Sequence, residues 1–138
     1  MKNITRVVSF ILVMAMCLTF ASFAVETRAS LYISQIATSI TSENGITVGF
    51  VVVGTGKMTD IGATRIEIKN ASGMVVATYR YTDDGYSHLM GHNTVSYSSS
   101  VTYEDAIPGN EYYAVIYYKA GNSSGSDSGS YTTGLRTA

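Results

Sequence analysis

Tyrosine is the residue type in this chain best suited to recognition chemistry. The chain has eleven Tyr and no Trp, and every Tyr lies after residue 30. An exposed Tyr ring offers flat, rigid contact area at low cost in side-chain entropy, which suits a sugar ring or a protein partner. Tyr is also a good strand former that pairs across strands, so a structural role is the alternative. The tyrosines that could form a ligand surface are Tyr79, Tyr81, Tyr86, Tyr97, Tyr113 and Tyr117.

Metal-binding chemistry is poorly represented. His88 and His92 are the two histidines, and Met90-Gly91 between them predicts a loop rather than a helix face. A zinc site needs a third ligand, for which only the distant carboxylates of Asp83 and Asp84 are available. Asp83-Asp84-Gly85 and residues 122–127 carry oxygen ligands without EF-hand spacing, which favours turns over a calcium site. The sequence therefore predicts no metal site and no cofactor.

The residues needed for catalysis are also scarce. Serine is plentiful, but the one Gly-x-Ser-x-Gly match, Gly121-Asn122-Ser123-Ser124-Gly125, lies in a predicted flexible loop and not between a strand and a helix, so no nucleophile elbow is predicted. The ten acidic residues are scattered over predicted turns, on a domain too small for a deep cleft. The sequence predicts a protein that is not an enzyme, with a small hydrolase as a remaining alternative.

The N-terminus has the pattern of an export signal. Lys2 and Arg6 precede an uncharged run over residues 7–25, which ends in small residues. Cleavage is predicted after Ala24, with Ala29 as a second option, and an uncleaved membrane anchor is the alternative. The protein is expected to be secreted, outside the cell or at its envelope. The predicted segments are a signal peptide over 1–24, a short linker over 25–30 and a β-domain over 31–138.

Removal of the signal segment changes the chemistry of the chain. Cys17 is the only cysteine, and Met16 precedes it where a lipoprotein signal needs a small residue. The mature chain thus has no disulfide and must be stabilised by its core. Loss of Lys2 and Arg6 leaves seven basic and ten acidic residues, a formal charge of −3. That mild acidity argues against nucleic acid or anionic lipid as a partner.

Seven short segments have strand periodicity and are separated by turn residues. Gly-rich residues 54–63 are predicted to be a connection, residues 82–93 an irregular loop and residues 121–128 a flexible loop. This pattern, without a helical period after the signal, indicates an all-β sandwich forming a single domain. The predicted strands are 31–40, 46–53, 64–69, 74–81, 94–103, 112–120 and 129–137.

A tight corner precedes the longest aromatic strand. Pro108 presets φ for the second position of a turn, and Gly109 supplies the positive φ of a type II turn. Pro-Gly-x-x-Tyr followed by an alternating strand resembles the E–F corner of fibronectin type III-like and immunoglobulin-like domains. The resemblance implies a tyrosine corner in which Tyr112 hydrogen-bonds the backbone upstream. Phe50 stands about where the core Trp of such domains is usually found.

A second resemblance covers nearly the whole chain. The order of its motifs looks like that of a group of short exported proteins of Gram-positive bacteria known only as a domain of unknown function. This resemblance implies no activity and no site residues. The motifs are the export signal, Arg28-Ala29-Ser30, Gly54-Thr55-Gly56, Asp60-Ile61-Gly62-Ala63, Met90-Gly91-x-Asn93 and Tyr112-Tyr113-Ala114.

Three hypotheses about function follow. The first is a secreted binding or adhesion module for a glycan or protein ligand, based on the export signal, the surplus of Tyr and the missing catalytic set. The second is a structural subunit of the envelope or matrix that pairs through its first or last strand, because both are rich in Ser and Thr and nearly uncharged. This hypothesis implies weak self-association. The third is the small hydrolase.

Overall fold

The protein is all-β. The structure is a computed structural model that describes the backbone of Ala24–Glu26 and all of residues 30–138. These residues form eight strands of one antiparallel sheet and a single 3₁₀ turn at Ser87–Leu89. None of the helical structure in these ranges is long and apolar enough to cross a membrane. The strands are β1 Ala24–Glu26, β2 Ile33–Thr41, β3 Ile46–Asn70, β4 Val75–Arg80, β5 Met90–Tyr103, β6 Glu111–Asn122, β7 Gly125–Thr132 and β8 Arg136–Thr137.

Strand β3 takes part in two layers of the sheet. Residues 47–54 pair with β2 on one side, and residues 46–53 pair with β5 on the other. Farther along, residues 60–70 pair with β6, and residues 65–69 also pair with β4. One layer therefore runs β1-β2-β3-β5, and the other runs β4-β3-β6-β7 with β8 on β6. The result is a sandwich-like arrangement.

The prediction of a connection over residues 54–63 was wrong, because these residues continue strand β3. Met58 and Ile61 are buried there and pair with β5. Gly62, at φ 152, pairs with Met90 and with Lys119, and a Cβ at this position would lie 2.3 Å from the Leu89 carbonyl oxygen. Gly62 therefore lies where three strands approach closely. Such a close approach of backbones is a common reason for a glycine inside a strand.

Two predicted loops are also more regular than expected. The loop predicted over residues 82–93 contains the 3₁₀ turn and then the start of β5 at Met90. The flexible loop predicted over residues 121–128 is a tight hairpin, in which Asn122 pairs with Gly125. The Asn122 side-chain oxygen accepts a hydrogen bond from the Ser124 N–H at 2.8 Å. Ser and Gly are common in loops, but residues 125–128 form a strand here because their backbone pairs with β6.

The strand periodicity predicted for residues 46–53 and 112–120 is confirmed. Ile46, Val48, Phe50 and Val52 on β3 are buried. On β6 the buried set is Tyr112, Ala114, Ile116, Tyr118 and Ala120. Both sets belong to one hydrophobic cluster, so the two layers share a core.

The export signal remains a prediction. Residues 1–23, which include Cys17, and residues 27–29, which include Ala29, lie outside the described residues. Ala24–Glu26 form β1, which pairs antiparallel with Ile36–Thr38 of β2. From β2 onward the chain contributes seven strands, although residues 46–53 and 64–69 belong to one strand, and the predicted last strand is divided between β7 and β8.

Candidate functional site

The corner before β6 fixes Tyr112 in the core. A backbone hydrogen bond from the Asn110 N–H to the Ile107 carbonyl closes the turn at 3.1 Å, with Gly109 at φ 87. Pro108 lies exposed between them. The Tyr112 ring is 3% exposed, and its Oη accepts a hydrogen bond from the Ile107 N–H at 2.9 Å. Tyr112 is thus committed to the interior and offers no surface to a ligand.

Four of the six candidate tyrosines form a second group at the edge of the core, here called the inner tyrosines. They are Tyr79, Tyr81, Tyr86 and Tyr97, and each packs against the hydrophobic cluster.

Contacts of the inner tyrosines connect β4 and the 3₁₀ turn to β5. The rings of Tyr79 and Tyr86 lie 5.0 Å apart between centroids. The Tyr79 hydroxyl donates to the Thr102 carbonyl at 3.3 Å, and the Tyr97 hydroxyl donates to the His88 carbonyl at 2.6 Å. Because β4 and β5 do not pair with each other, these side chains help to close the space between the two layers.

Burial raises the pKa of two tyrosine hydroxyls in this region, those of Tyr79 and the neighbouring Tyr103. Desolvation raises the pKa of Tyr79 to about 12, with smaller contributions from the neighbouring Tyr86 and Tyr103 and from Asp105 and Glu104. The pKa of Tyr103 is also raised, first by desolvation and then by Tyr112 and Asp105. Both effects disfavour the phenolate, as expected for hydroxyls withdrawn from water.

Tyr113 and Tyr117 lie on the opposite side of β6 from the core. In the strand register Tyr113 is beside Lys69 of β3, and Tyr117 is beside Arg65. The Arg65 guanidinium carbon lies 4.0 Å from the centroid of the Tyr117 ring, a cation–π contact. Val115 between the two tyrosines is 8% exposed. The structure therefore does not bring the six candidate tyrosines together in one surface.

A charge network lies beside these two rings. Arg65 Nε is 3.2 Å from one Glu67 carboxylate oxygen, and Lys69 Nζ is 4.0 Å from the other. Residues of β4 and β7 pair with these positions of β3 and β6, so the same side of the sheet extends over four strands. We call it the outer face; its residues are Arg65, Glu67, Lys69, Thr78, Arg80, Tyr113, Val115, Tyr117, Lys119, Ser128, Ser130 and Thr132.

The charged members of the outer face were not recognised as site residues from the sequence. The alternation of Arg65, Glu67 and Lys69 with Ile66 and Ile68 predicts a strand with one polar side. It does not predict which strand lies beside that side. The relation of these charges to Tyr113 and Tyr117 depends on the pairing of β3 with β6, which joins residues about 50 positions apart.

A shallow cleft of about 470 Å³ lies at one end of the outer face. The Asn70 side-chain oxygen accepts hydrogen bonds from Ser72 Oγ and from the Met74 N–H, which shapes one wall. A Cβ at Gly73, in the same hairpin, would lie 3.4 Å from Tyr113 Oη, so Tyr113 borders this end. The lining residues are Asn70, Ala71, Ser72, Gly109, Asn110, Glu111 and Thr137.

The two histidines have separate surroundings. His92 Nδ1 lies 2.8 Å from Asp60 Oδ1, while the two ring nitrogens of His88 lie 3.1 Å and 3.2 Å from the carbonyl oxygens of Gly85 and Ser100. Within residues 30–138, no side-chain hydroxyl hydrogen-bonds the His92 ring. No group of three or more His, Cys, Asp or Glu able to hold a metal occurs in the part of the chain that the structure describes.

Asp83 serves as a turn residue. Its side chain accepts a hydrogen bond from the Arg80 N–H at 3.3 Å, and its backbone N–H donates to the Arg80 carbonyl at 3.0 Å.

Comparison with known proteins adds little to this geometry. No family model matches the chain, and no curated protein matches it. A solved structure, the bromine derivative of BhCBM56, a carbohydrate-binding module by its name, is similar with a TM-score of 0.33 and 15% sequence identity. The similarity covers 82% of this chain and 97% of that one.

Proposed function

We propose that this protein is an exported binding module that holds a glycan on its outer face. The observation that carries the proposal is the pair of Tyr113 and Tyr117, which point away from the core on the same side of one strand. Four residues of strand place them about 13 Å apart, a distance that a short oligosaccharide can span. The cleft beside Tyr113 extends this surface toward the end of the molecule.

The composition of the outer face favours a sugar over a protein ligand. A sugar ring has an apolar face that can lie on an aromatic ring and hydroxyl groups at its edge that need polar partners. Tyr113 and Tyr117 supply the rings, while Arg65, Glu67 and Thr78 supply donors and acceptors beside them. Val115, the aliphatic residue between the rings, is buried. Tyr113 and Tyr117 therefore stand as two separate rings among polar side chains, without the large contiguous apolar patch that marks many protein–protein interfaces.

Export and the finer fold type belong to the same proposal. The basic residues Lys2 and Arg6 before an uncharged run support secretion. The buried Tyr112, with its hydrogen bond to the backbone five residues upstream, supports a fibronectin type III-like or immunoglobulin-like sandwich. Such domains use a rigid scaffold to present contacts and need no catalytic groups.

An array of immobilised neutral and acidic polysaccharides tests the proposal. We expect the protein to bind at least one of them and the Tyr113→Ala/Tyr117→Ala variant to lose that binding. The matched control is Tyr113→Phe/Tyr117→Phe, which keeps both rings and removes only the hydroxyls, and we expect it to retain most of the affinity. A blank array, or equal binding by the alanine variant, contradicts the proposal.

A second candidate is a subunit that assembles through sheet edges. Strand β7 ends the sheet, and among the described residues no strand pairs with its outer edge. Asp127 is its only charged residue, so it has little of the charge that normally protects an edge. Sedimentation over a range of protein concentrations tests this candidate. A monomer at the highest concentration argues against assembly, and a shift to larger species supports it.

A further inference from the structure

The basic residues of this acidic domain are concentrated on the outer face. Residues 30–138 contain six Lys and Arg against nine Asp and Glu. Four of the six basic residues are on the outer face, and Glu67 is its only acidic residue. The basic residues on the face are Arg65, Lys69, Arg80 and Lys119, and those elsewhere are Lys57 and Arg136.

Glu67 does not cancel this charge. Its carboxylate lies between Arg65 and Lys69, at 3.2 Å and 4.0 Å, and its side chain is 16% exposed. Among residues 30–138, no carboxylate forms an ion pair with Arg80 or Lys119. Two further carboxylates border the face: Asp83 accepts a hydrogen bond from the Arg80 N–H at 3.3 Å, and Asp60, which pairs with Gly121 two residues beyond Lys119, lies 2.8 Å from His92 Nδ1. The face therefore keeps unpaired positive charge.

The unpaired cations lie on two sides of Tyr117. Arg80 is opposite Arg65, which is in turn opposite Tyr117, so Arg80 is two strands away, or about 10 Å. Lys119 is two residues farther along β6, or about 7 Å from Tyr117. A sugar ring stacked on Tyr117 would thus have a positive side chain within reach on each of these sides.

We infer that the ligand of the outer face is an anionic polysaccharide, whose carboxylate or sulfate groups contact Arg80 and Lys119 while a sugar ring lies on Tyr117. This inference rests on the proposed glycan-binding function and specifies its ligand class. Charge-assisted hydrogen bonds to carboxylate or sulfate are stronger than neutral ones. Exposed charges are screened by salt, so affinity for such a ligand falls as the salt concentration rises.

Two matched double variants test the inference. Arg80→Gln/Lys119→Gln removes two cations from the outer face, and Lys57→Gln/Arg136→Gln removes two cations elsewhere with the same change in net charge. The probes are a uronic acid polymer, a sulfated polysaccharide and a neutral glucan, each at low and high salt. We expect the first variant to lose roughly tenfold or more in affinity for one or both acidic probes, and the second less than about twofold. The two acidic probes distinguish carboxylate from sulfate recognition.

Other outcomes separate this inference from the proposed function. Binding to the neutral glucan that depends on Tyr113 and Tyr117 but not on Arg80 and Lys119 overturns the inference and leaves the proposed function standing. Equal losses in both double variants mean a general charge effect and also overturn it. Binding to none of the polysaccharides contradicts both. Binding to vesicles of anionic lipid without binding to the acidic polysaccharides contradicts both as well. Unchanged melting temperatures show that the variants are folded.

Discussion

The two sides of strand β6 carry the same residue type in opposite roles. Tyr112 and Tyr118 point inward and are 3% and 1% exposed. Tyr113 and Tyr117, each next to one of them in sequence, point outward to the face that holds Arg65 and Lys69. Tyr112 is fixed by packing and by its hydrogen bond from the Ile107 N–H, whereas Tyr117 is in contact with the Arg65 guanidinium. The comparison shows that the side of the strand, rather than the residue type, decides whether a Tyr stabilises the fold or remains available to a ligand.

The same distinction separates the six tyrosines first considered for a ligand surface. The hydroxyls of Tyr79 and Tyr97 donate hydrogen bonds to backbone carbonyls of neighbouring elements. Rings that close a gap between layers cannot leave it to meet a ligand without loss of stability. We therefore assign recognition to the outer pair and stability to the inner group.

The largest expected effect is the difference in the free energy of unfolding between the Tyr112→Ala and Tyr113→Ala variants. Removing a buried aromatic ring typically costs about 3–5 kcal/mol of the free energy of unfolding. Tyr112→Ala also leaves the Ile107 N–H without its partner. For the half-buried Tyr113 we expect a loss of about 1 kcal/mol or less. Urea denaturation of both variants measures the difference, and equal losses would mean that the two sides of β6 are not distinct.

Alkaline pH should next reveal the desolvation of an inner tyrosine. The pKa of Tyr79 is raised to about 12 in the folded protein from 10.0, chiefly by desolvation. Its contribution to stability is therefore complete below about pH 10 and is lost as the pH rises through about 12. We expect the unfolding midpoint in urea to decline over this range, and to decline less steeply in Tyr79→Phe.

Tyr117→Phe is the matched control for the loss of a hydroxyl group by itself, because it makes the same substitution on the outer face. Because the Tyr103 hydroxyl also has a raised pKa, part of the decline should persist in Tyr79→Phe. Identical slopes in the wild type and Tyr79→Phe would contradict the assignment of Tyr79 to the desolvated group.

The smallest expected effect concerns the contact between Arg65 and Tyr117. A double-mutant cycle with Arg65→Met and Tyr117→Leu should give a coupling free energy of about 0.5–1 kcal/mol, the usual range for a cation–π pair at the surface. Thermal or urea unfolding of the four proteins measures it. Zero coupling would show that the cation does not hold the outer ring.

Several features could be predicted without the structure because they depend on local chemistry. The alternation in residues 112–120 divided β6 into two sides, and the resemblance to a tyrosine corner predicted that Tyr112 lies in the core. Pro108-Gly109 determined the turn, since Gly tolerates the positive φ that the turn requires. The all-β class followed from the same periodicity.

Long-range pairing decided the rest. Residues 54–63 have the composition of a loop, yet they extend β3 because β5 and β6 supply backbone partners from distant parts of the chain. The outer face exists for the same reason. No local pattern relates Arg80 or Arg65 to Tyr117, and only the register of β4, β3 and β6 places them side by side. Sequence by itself determined which residues face the same way along one strand, while the tertiary structure decided which strands are neighbours, because strand pairing joins residues that are far apart in the chain.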